Sequence, residues 1–179
     1  MSESCELPTL RGERVTIRPP LPGELDLLAG AIAADPQASI WWSTSAATIG
    51  DEWFREPGYH VLVIEQSVDA IGVVAFQEGN VREYRSAAID IALLSTSVGG
   101  GLGTESMRLL ADWLFRERGH HRLTIDPALH NERAIHVYEK IGYRRIGVAR
   151  DYEQSSDGTW HDNLLMDMLE ADFRNAGTR

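Results

Sequence analysis

Apolar and polar positions along the 179-residue chain change period several times, and each change marks an element. Val15 and Ile17 alternate with Thr16 and Arg18, which predicts a half-buried first strand over 13–18, closed by Pro19 and Pro20. Over 24–34 the period lengthens: Leu25, Leu28, Ala29 and Ile32 share one helical face, after a Pro22-Gly23 turn and before Asp35-Pro36. Residues 37–57 are less regular and predict only a short helix near 46–55. The β-rich runs 61–65, 70–77 and 87–94 follow, the first two split by Ser67-Val68-Asp69 in the manner of a hairpin. Met107, Leu110, Ala111 and Leu114 then recur at helical spacing up to a stop at Gly119. A strand over 122–126 ends at Pro127, and Ala134, Ile135, Tyr138 and Ile141 line a further helix opened by Asn131 and closed by Gly142. Two last strands, 143–148 and 163–169, lie either side of an Asp157-Gly158 turn.

The order of elements is strand, two helices, three strands, helix, strand, helix, two strands, which predicts an α+β domain on a mixed sheet. One domain is expected over 13–170, with 1–12 loosely ordered and 171–179 a tail. No repeat, low-complexity tract or linker divides it.

Between the strand over 87–94 and the helix after it stand Gly99, Gly100, Gly101 and Gly103. Glycines let the backbone turn through φ > 0, so amide N–H groups can converge at the positive end of the following helix and cradle an anion. Two better-known phosphate loops are excluded. The P-loop needs Gly-Lys-Ser/Thr, and the one lysine of the chain is Lys140; the dinucleotide fingerprint fails in both registers, at Thr104 and at Ser106.

Composition narrows the class further. A hydrophobic content of 43% and a charged content of 25% suit a globular protein, without an eighteen-residue apolar run or a basic-then-apolar leader, so a cytoplasmic location is expected. A net charge of −10 argues against nucleic acid and anionic membrane and favours a cationic partner. Cys5 stands alone, which gives no disulfide framework, and the six histidines lack metal-ligand spacing, so no metal is expected.

Val98-Gly99-Gly100-Gly101-Leu102-Gly103 resembles the R/Q-x-x-G-x-G/A pyrophosphate loop of the GNAT superfamily of acyl-CoA N-acetyltransferases, with Val98 in place of the usual Arg or Gln. The run from Thr124 to Gly147 resembles a second segment of that family, in which Asn131 opens a helix carrying Ala134 and Tyr138 and ending at Gly142-Tyr143. The resemblance implies the GNAT fold, a mixed seven-stranded sheet flanked by about four helices with splayed central parallel strands. It also implies acetyl-CoA as co-substrate. Leu93, Leu94, Val98, Gly99, Gly100, Gly101, Leu102, Gly103, Thr104, Asn131 and Arg133 would hold the CoA, with Arg108 a further phosphate partner or a solvated surface charge.

Moving an acetyl group from a thioester to an amine needs a base for the amine and an acid for the thiolate. Asp90 interrupts an otherwise apolar strand, and a desolvated carboxylate there suits the base. Tyr138 matches the family tyrosine whose hydroxyl serves the thiolate. Aminoglycoside 6'-N-acetyltransferases, which the chain resembles, carry an Asp on this strand, an aromatic pair like Trp41-Trp42 and an Asp like Asp126. Trp41, Trp42, Trp53, Glu52, Glu78, Glu83 and Asp126 are therefore the expected lining for a cationic amine, through ion pairing and stacking. The first strand and the closing GTWHDNLLMDML resemble RimJ/RimL-type acetyltransferases as well, which keeps protein N-termini and polyamines open as acceptors. A CoA-binding sensor without catalysis is the alternative of another class, and the last strands are where two copies would pair.

Overall fold

Continuous apolar runs bury the central strands on both faces, and alternation buries others on one. The computed structural model describes residues 7–40, 58–79, 81–155 and 158–177. Eight strands form one sheet: β1 (Leu10–Arg11), β2 (Thr16–Arg18), β3 (Tyr59–Gln66), β4 (Asp69–Gly79), β5 (Ser86–Leu93), β6 (Arg122–Ile125), β7 (Arg144–Gln154) and β8 (Trp160–Leu169). Four α-helices accompany them among the described residues: α1 (Glu24–Ala34), α2 (Leu102–Arg116), α3 (Glu132–Ile141) and α4 (Glu170–Ala176). The strands lie in the order β1-β2-β3-β4-β5-β6-β8-β7, all neighbours antiparallel except β5 and β6.

Helices cover both faces, so β4 and β5 are apolar on both. Val74, Phe76, Ala87 and Ile89 enter the larger core, beside Met107, Leu110 and Leu114 of α2 and Ile135 and Ile141 of α3. Val73, Ala75 and Ala92 point the other way, into a smaller core with Leu25, Leu28 and Ile32 of α1. α3 is fixed at both ends. Asn131 Oδ1 accepts the Ala134 N–H at 3.1 Å, and Gly142 ends the helix at φ 125, where a Cβ would sit 3.0 Å from the Asp172 carbonyl oxygen.

One feature of the sheet opens it in the middle. The parallel pair β5/β6 is in register only at Ala87 with Leu123 and Ala88 with Thr124, after which β5 runs on to Leu93 beside β4 alone. The two central strands part there, as the resemblance implied.

The sheet has one strand more than the seven expected. Leu10 and Arg11, in the stretch expected to be loosely ordered, pair with Ile17 and Thr16, and the Gly12 N–H closes the turn on the Val15 carbonyl at 2.8 Å. The expected tail at 171–179 is helical as far as Ala176, with Phe173 5.7 Å from Phe115 across the core. β7 also runs six residues past the expected end at 148, through a register break between Ala149 and Glu153. The short helix expected near 46–55 lies outside the described residues. None of the described helices is long and apolar enough to cross a membrane.

Leu110 has no exposed surface and sits where α2 meets the sheet. Leu110→Ala is expected to cost about 3 kcal/mol of unfolding free energy from lost burial and the cavity left behind, read from urea melts.

Candidate active site

Residues at the parting of β5 and β6 build a cleft of about 420 Å³. Its walls are the second half of β5, the glycine loop with the start of α2, α3 as far as Lys140, and Gln37 and Ala38 after α1. The loop turns through φ > 0 twice, at Gly99 (107°) and Gly101 (81°), conformations that favour glycine. Gly101 is the N-cap of α2, and no side chain caps that end. The first amides of a fifteen-residue helix are therefore left for an anion. Arg133 reaches to within 3.9 Å of where a Gly99 Cβ would stand, and Lys140 completes a cationic wall. A cleft with uncapped amides at one end and apolar walls of Ile91, Leu93 and Val137 fits a diphosphate attached to a long pantetheine arm.

Most of the expected CoA residues gather here: Leu93, Val98, Gly99, Gly101, Gly103, Thr104, Asn131 and Arg133 all line the cleft, as does Tyr138. Three others do not. The Leu94 N–H is taken by the Ile71 carbonyl at 3.0 Å, Leu102 is buried in the core, and the Gly100 carbonyl faces away toward Arg14. Arg108 is not among the residues lining the cleft and links α2 to α3, donating to the Lys140 carbonyl at 3.1 Å.

Asp90 and Tyr138 approach from opposite faces of β5. Asp90 sits opposite Ala75 on the α1 side, half-buried, and accepts a hydrogen bond from the Tyr59 hydroxyl at 3.2 Å. Tyr138 projects from α3 into the larger core. Their fields meet at the parting of the strands: burial, then Asp90 and Asp126, push the Tyr138 phenol far above its ordinary range. At neutral pH Tyr138 therefore carries its proton, which is the state an acid for a departing thiolate requires.

A second acidic group stands beyond Asp90. Burial pushes the Asp126 carboxyl up, with the neighbouring Glu153 charge acting in the same direction and the Asn163 amide against it. Asn163 Nδ2 also donates to Glu153 Oε2 at 3.1 Å and to the Asp126 carbonyl at 2.9 Å. The charges of Asp126, Asp90 and Glu153 all raise the Tyr152 phenol. Asp126 thus stands beside Glu153 and Asn163, and Tyr59 and Tyr152 lie within reach of the charges of Asp90 or Asp126, four neighbours that were not expected. Each is brought in by strand pairing and carried no local sequence signal.

Glu78 is a correction. Its side chain is only 2% exposed and is held by Arg118 at 2.8 Å and His120 at 2.8 Å, so it is an internal ion pair at the far end of β5 rather than substrate lining. Burial opposes its charge, but the bonds from Arg118 and His120 prevail and hold it below the usual carboxylate range. Glu83 is exposed on the turn ahead of β5, outside the cleft. Trp41, Trp42, Glu52 and Trp53 lie outside the described residues. Among the described residues no three His, Cys, Asp or Glu side chains are placed to hold a metal ion.

Comparison with known proteins agrees with this geometry. The family model described as "Acetyltransferase (GNAT) domain" matches residues 14–144. The chain belongs to the GNAT family. Acetyl-CoA is the co-substrate of this family's acetyltransferases. The chain is 29% identical over 119 residues to "Probable N-acetyltransferase YjcK" of Bacillus subtilis, covering 66% of this chain and 65% of that one. It is 42% identical over 60 residues to "Aminoglycoside N(6')-acetyltransferase type 1" of Klebsiella pneumoniae, covering 33% of this chain and 30% of that one. The matches thus span 65% of the first relative's length and 30% of the second's. Mycobacterium smegmatis RimJ, solved with CoA-disulfide, superposes at a TM-score of 0.73 and 21% identity over 93% of this chain and 88% of that one, a likeness of fold.

The raised Asp126 carboxyl has a consequence for stability. Its folded value lies above the ordinary 3.8, so the folded state binds a proton more tightly than the unfolded one, and ionising it above that value costs stability. Asp126→Asn is therefore expected to melt higher than wild type near pH ~7, with the gain shrinking as pH falls toward ~4, in paired calorimetric scans.

Proposed function

We propose that the protein transfers an acetyl group from acetyl-CoA to an amino group of a small polycationic acceptor of the aminoglycoside type. The observation that carries the reading is the cleft beside β5, where Tyr138, Arg133 and the glycine loop share one lining and Asp90 stands one residue before Ile91 of that lining on the same strand. Acids on one side of the opening suit an ammonium, and cations with uncapped amides on the other suit a diphosphate. The local match to the Klebsiella pneumoniae aminoglycoside acetyltransferase supports the same class.

Acetyl-CoA supplies an activated acyl carbon and a thiolate leaving group. Asp90, oriented by the Tyr59 hydroxyl, accepts the proton that an acceptor ammonium must lose before its nitrogen can attack. A C–N bond then forms as the C–S bond breaks, Tyr138 gives its proton to the sulfur, and the second proton that the nitrogen sheds on becoming an amide restores the Tyr138 phenol. Asp126 and Glu153 hold the remaining positive charge of the acceptor and set its orientation.

A panel of kanamycin-type aminoglycosides, kasugamycin, spermidine and short peptides, with acetyl-CoA consumption as readout, tests the substrate class. Aminoglycosides are expected to lead in kcat/KM by about tenfold or more. A preference for peptides would replace this reading with that of a protein N-terminal acetyltransferase, which the first and last strands also resemble. CoA binding without transfer to any acceptor would remove catalysis from the account.

For the roles of the two residues, Asp90→Asn and Tyr138→Phe are each expected to lower kcat by about a hundredfold. CoA affinity, measured by calorimetry, is expected to stay within about twofold, because neither side chain is assigned to holding the nucleotide.

A further inference from the structure

The glycine loop carries no charged side chain of its own, yet a guanidinium stands directly behind it. Arg14, at the turn between β1 and β2, donates from Nη1 to the Gly100 carbonyl at 2.6 Å and from Nε to Glu105 Oε2 at 2.9 Å. Glu105 Oε1 accepts the Arg14 backbone N–H at 2.8 Å, so the carboxylate grips the first strand while the guanidinium grips the loop. The Arg14 side chain is half exposed.

The peptide plane turns this into a statement about the cleft. Across a trans peptide the carbonyl and the following N–H point in opposite directions, and the described chain has no cis bond. Holding the Gly100 carbonyl on Arg14 therefore aims the Gly101 N–H the other way. Gly99 and Gly101 line the cleft and Gly100 does not. Glycine at both positions makes this plane easy to flip, because neither neighbour resists a change of φ and ψ.

We propose that Arg14 is the positioning residue of the diphosphate loop: it holds the Gly100 carbonyl out of the cleft so that the Gly101 N–H faces in. The same guanidinium neutralises Glu105, whose charge in the first turn of α2 would otherwise repel a bound phosphate. The inference rests on the reading of the cleft as a CoA site.

The test compares two ligands that differ in the diphosphate. Dissociation constants of wild type, Arg14→Lys, Arg14→Met and Arg14→Ala are measured for CoA by calorimetry and for pantetheine by ligand-observed NMR. Loss of one amide-to-phosphate hydrogen bond is expected to weaken CoA by about tenfold in Arg14→Ala and less in Arg14→Lys, with pantetheine within about twofold throughout. Arg14→Lys keeps a donor for Gly100 and serves as the rescue variant, whereas Arg14→Met keeps the apolar stem without any donor, is expected to weaken CoA as Arg14→Ala does, and decides the question if Arg14→Ala does not fold. Unchanged CoA affinity, or equal weakening of both ligands, overturns the proposal. A wild-type protein that ignores CoA overturns the reading of the cleft and this inference with it, whereas wild type and Arg14→Ala binding CoA equally well overturns this inference alone.

Discussion

Two neighbouring strands that stop pairing are the constraint on which this molecule depends. Backbone N–H and C=O groups inside a protein need partners, and a sheet normally supplies them strand by strand. β5 and β6 share register at Ala87/Leu123 and Ala88/Thr124 and then diverge, although both remain paired on their outer sides, to β4 and β8. The opening lies inside a well-packed sheet rather than at its edge. Val74, Ile89 and Leu123 keep the larger core closed just before it, so the cleft has rigid walls.

An opening through a sheet joins the two faces that the sheet otherwise separates. Asp90 belongs to the α1 face and Tyr138 to the face under α2 and α3, yet the Asp90 charge acts on the Tyr138 phenol. Opposite charges are sorted along the same line. Arg133, Lys140 and the uncapped amides of α2 lie on the loop side, and Asp126 and Glu153 lie near the end of β6. A protein of net charge −10 can in this way hold a polyanion, since the local cations and dipoles decide binding there while the overall charge favours a cationic acceptor.

What could be read from the chain follows from how local each signal is. The periodicity of Met107, Leu110 and Leu114, the Asn131 cap and the Gly142 stop lie within a few residues of one another, and α2 and α3 form where those signals place them. The glycine run announced the loop in the same way. Contacts made by tertiary packing left no such mark: Arg14 meets Gly100 across 86 positions, and Tyr59 meets Asp90 across 31. Glu78 shows the converse. An acid at the end of an apolar strand reads as a partner for a cationic substrate, and only the return of the chain after α2, with Arg118 and His120, buries it and pairs it internally. β1, at two residues, is too short for alternation to appear.

The central claim, that amides of the glycine loop grip a diphosphate at the parting of β5 and β6, is tested most directly by following backbone 15N–1H resonances while CoA is added. The largest shifts are expected at Gly99, Gly101 and Gly103, with pantetheine alone leaving them in place and moving Leu93 and Val137 instead. Shifts centred elsewhere, or glycine amides that respond equally to pantetheine, would contradict the account.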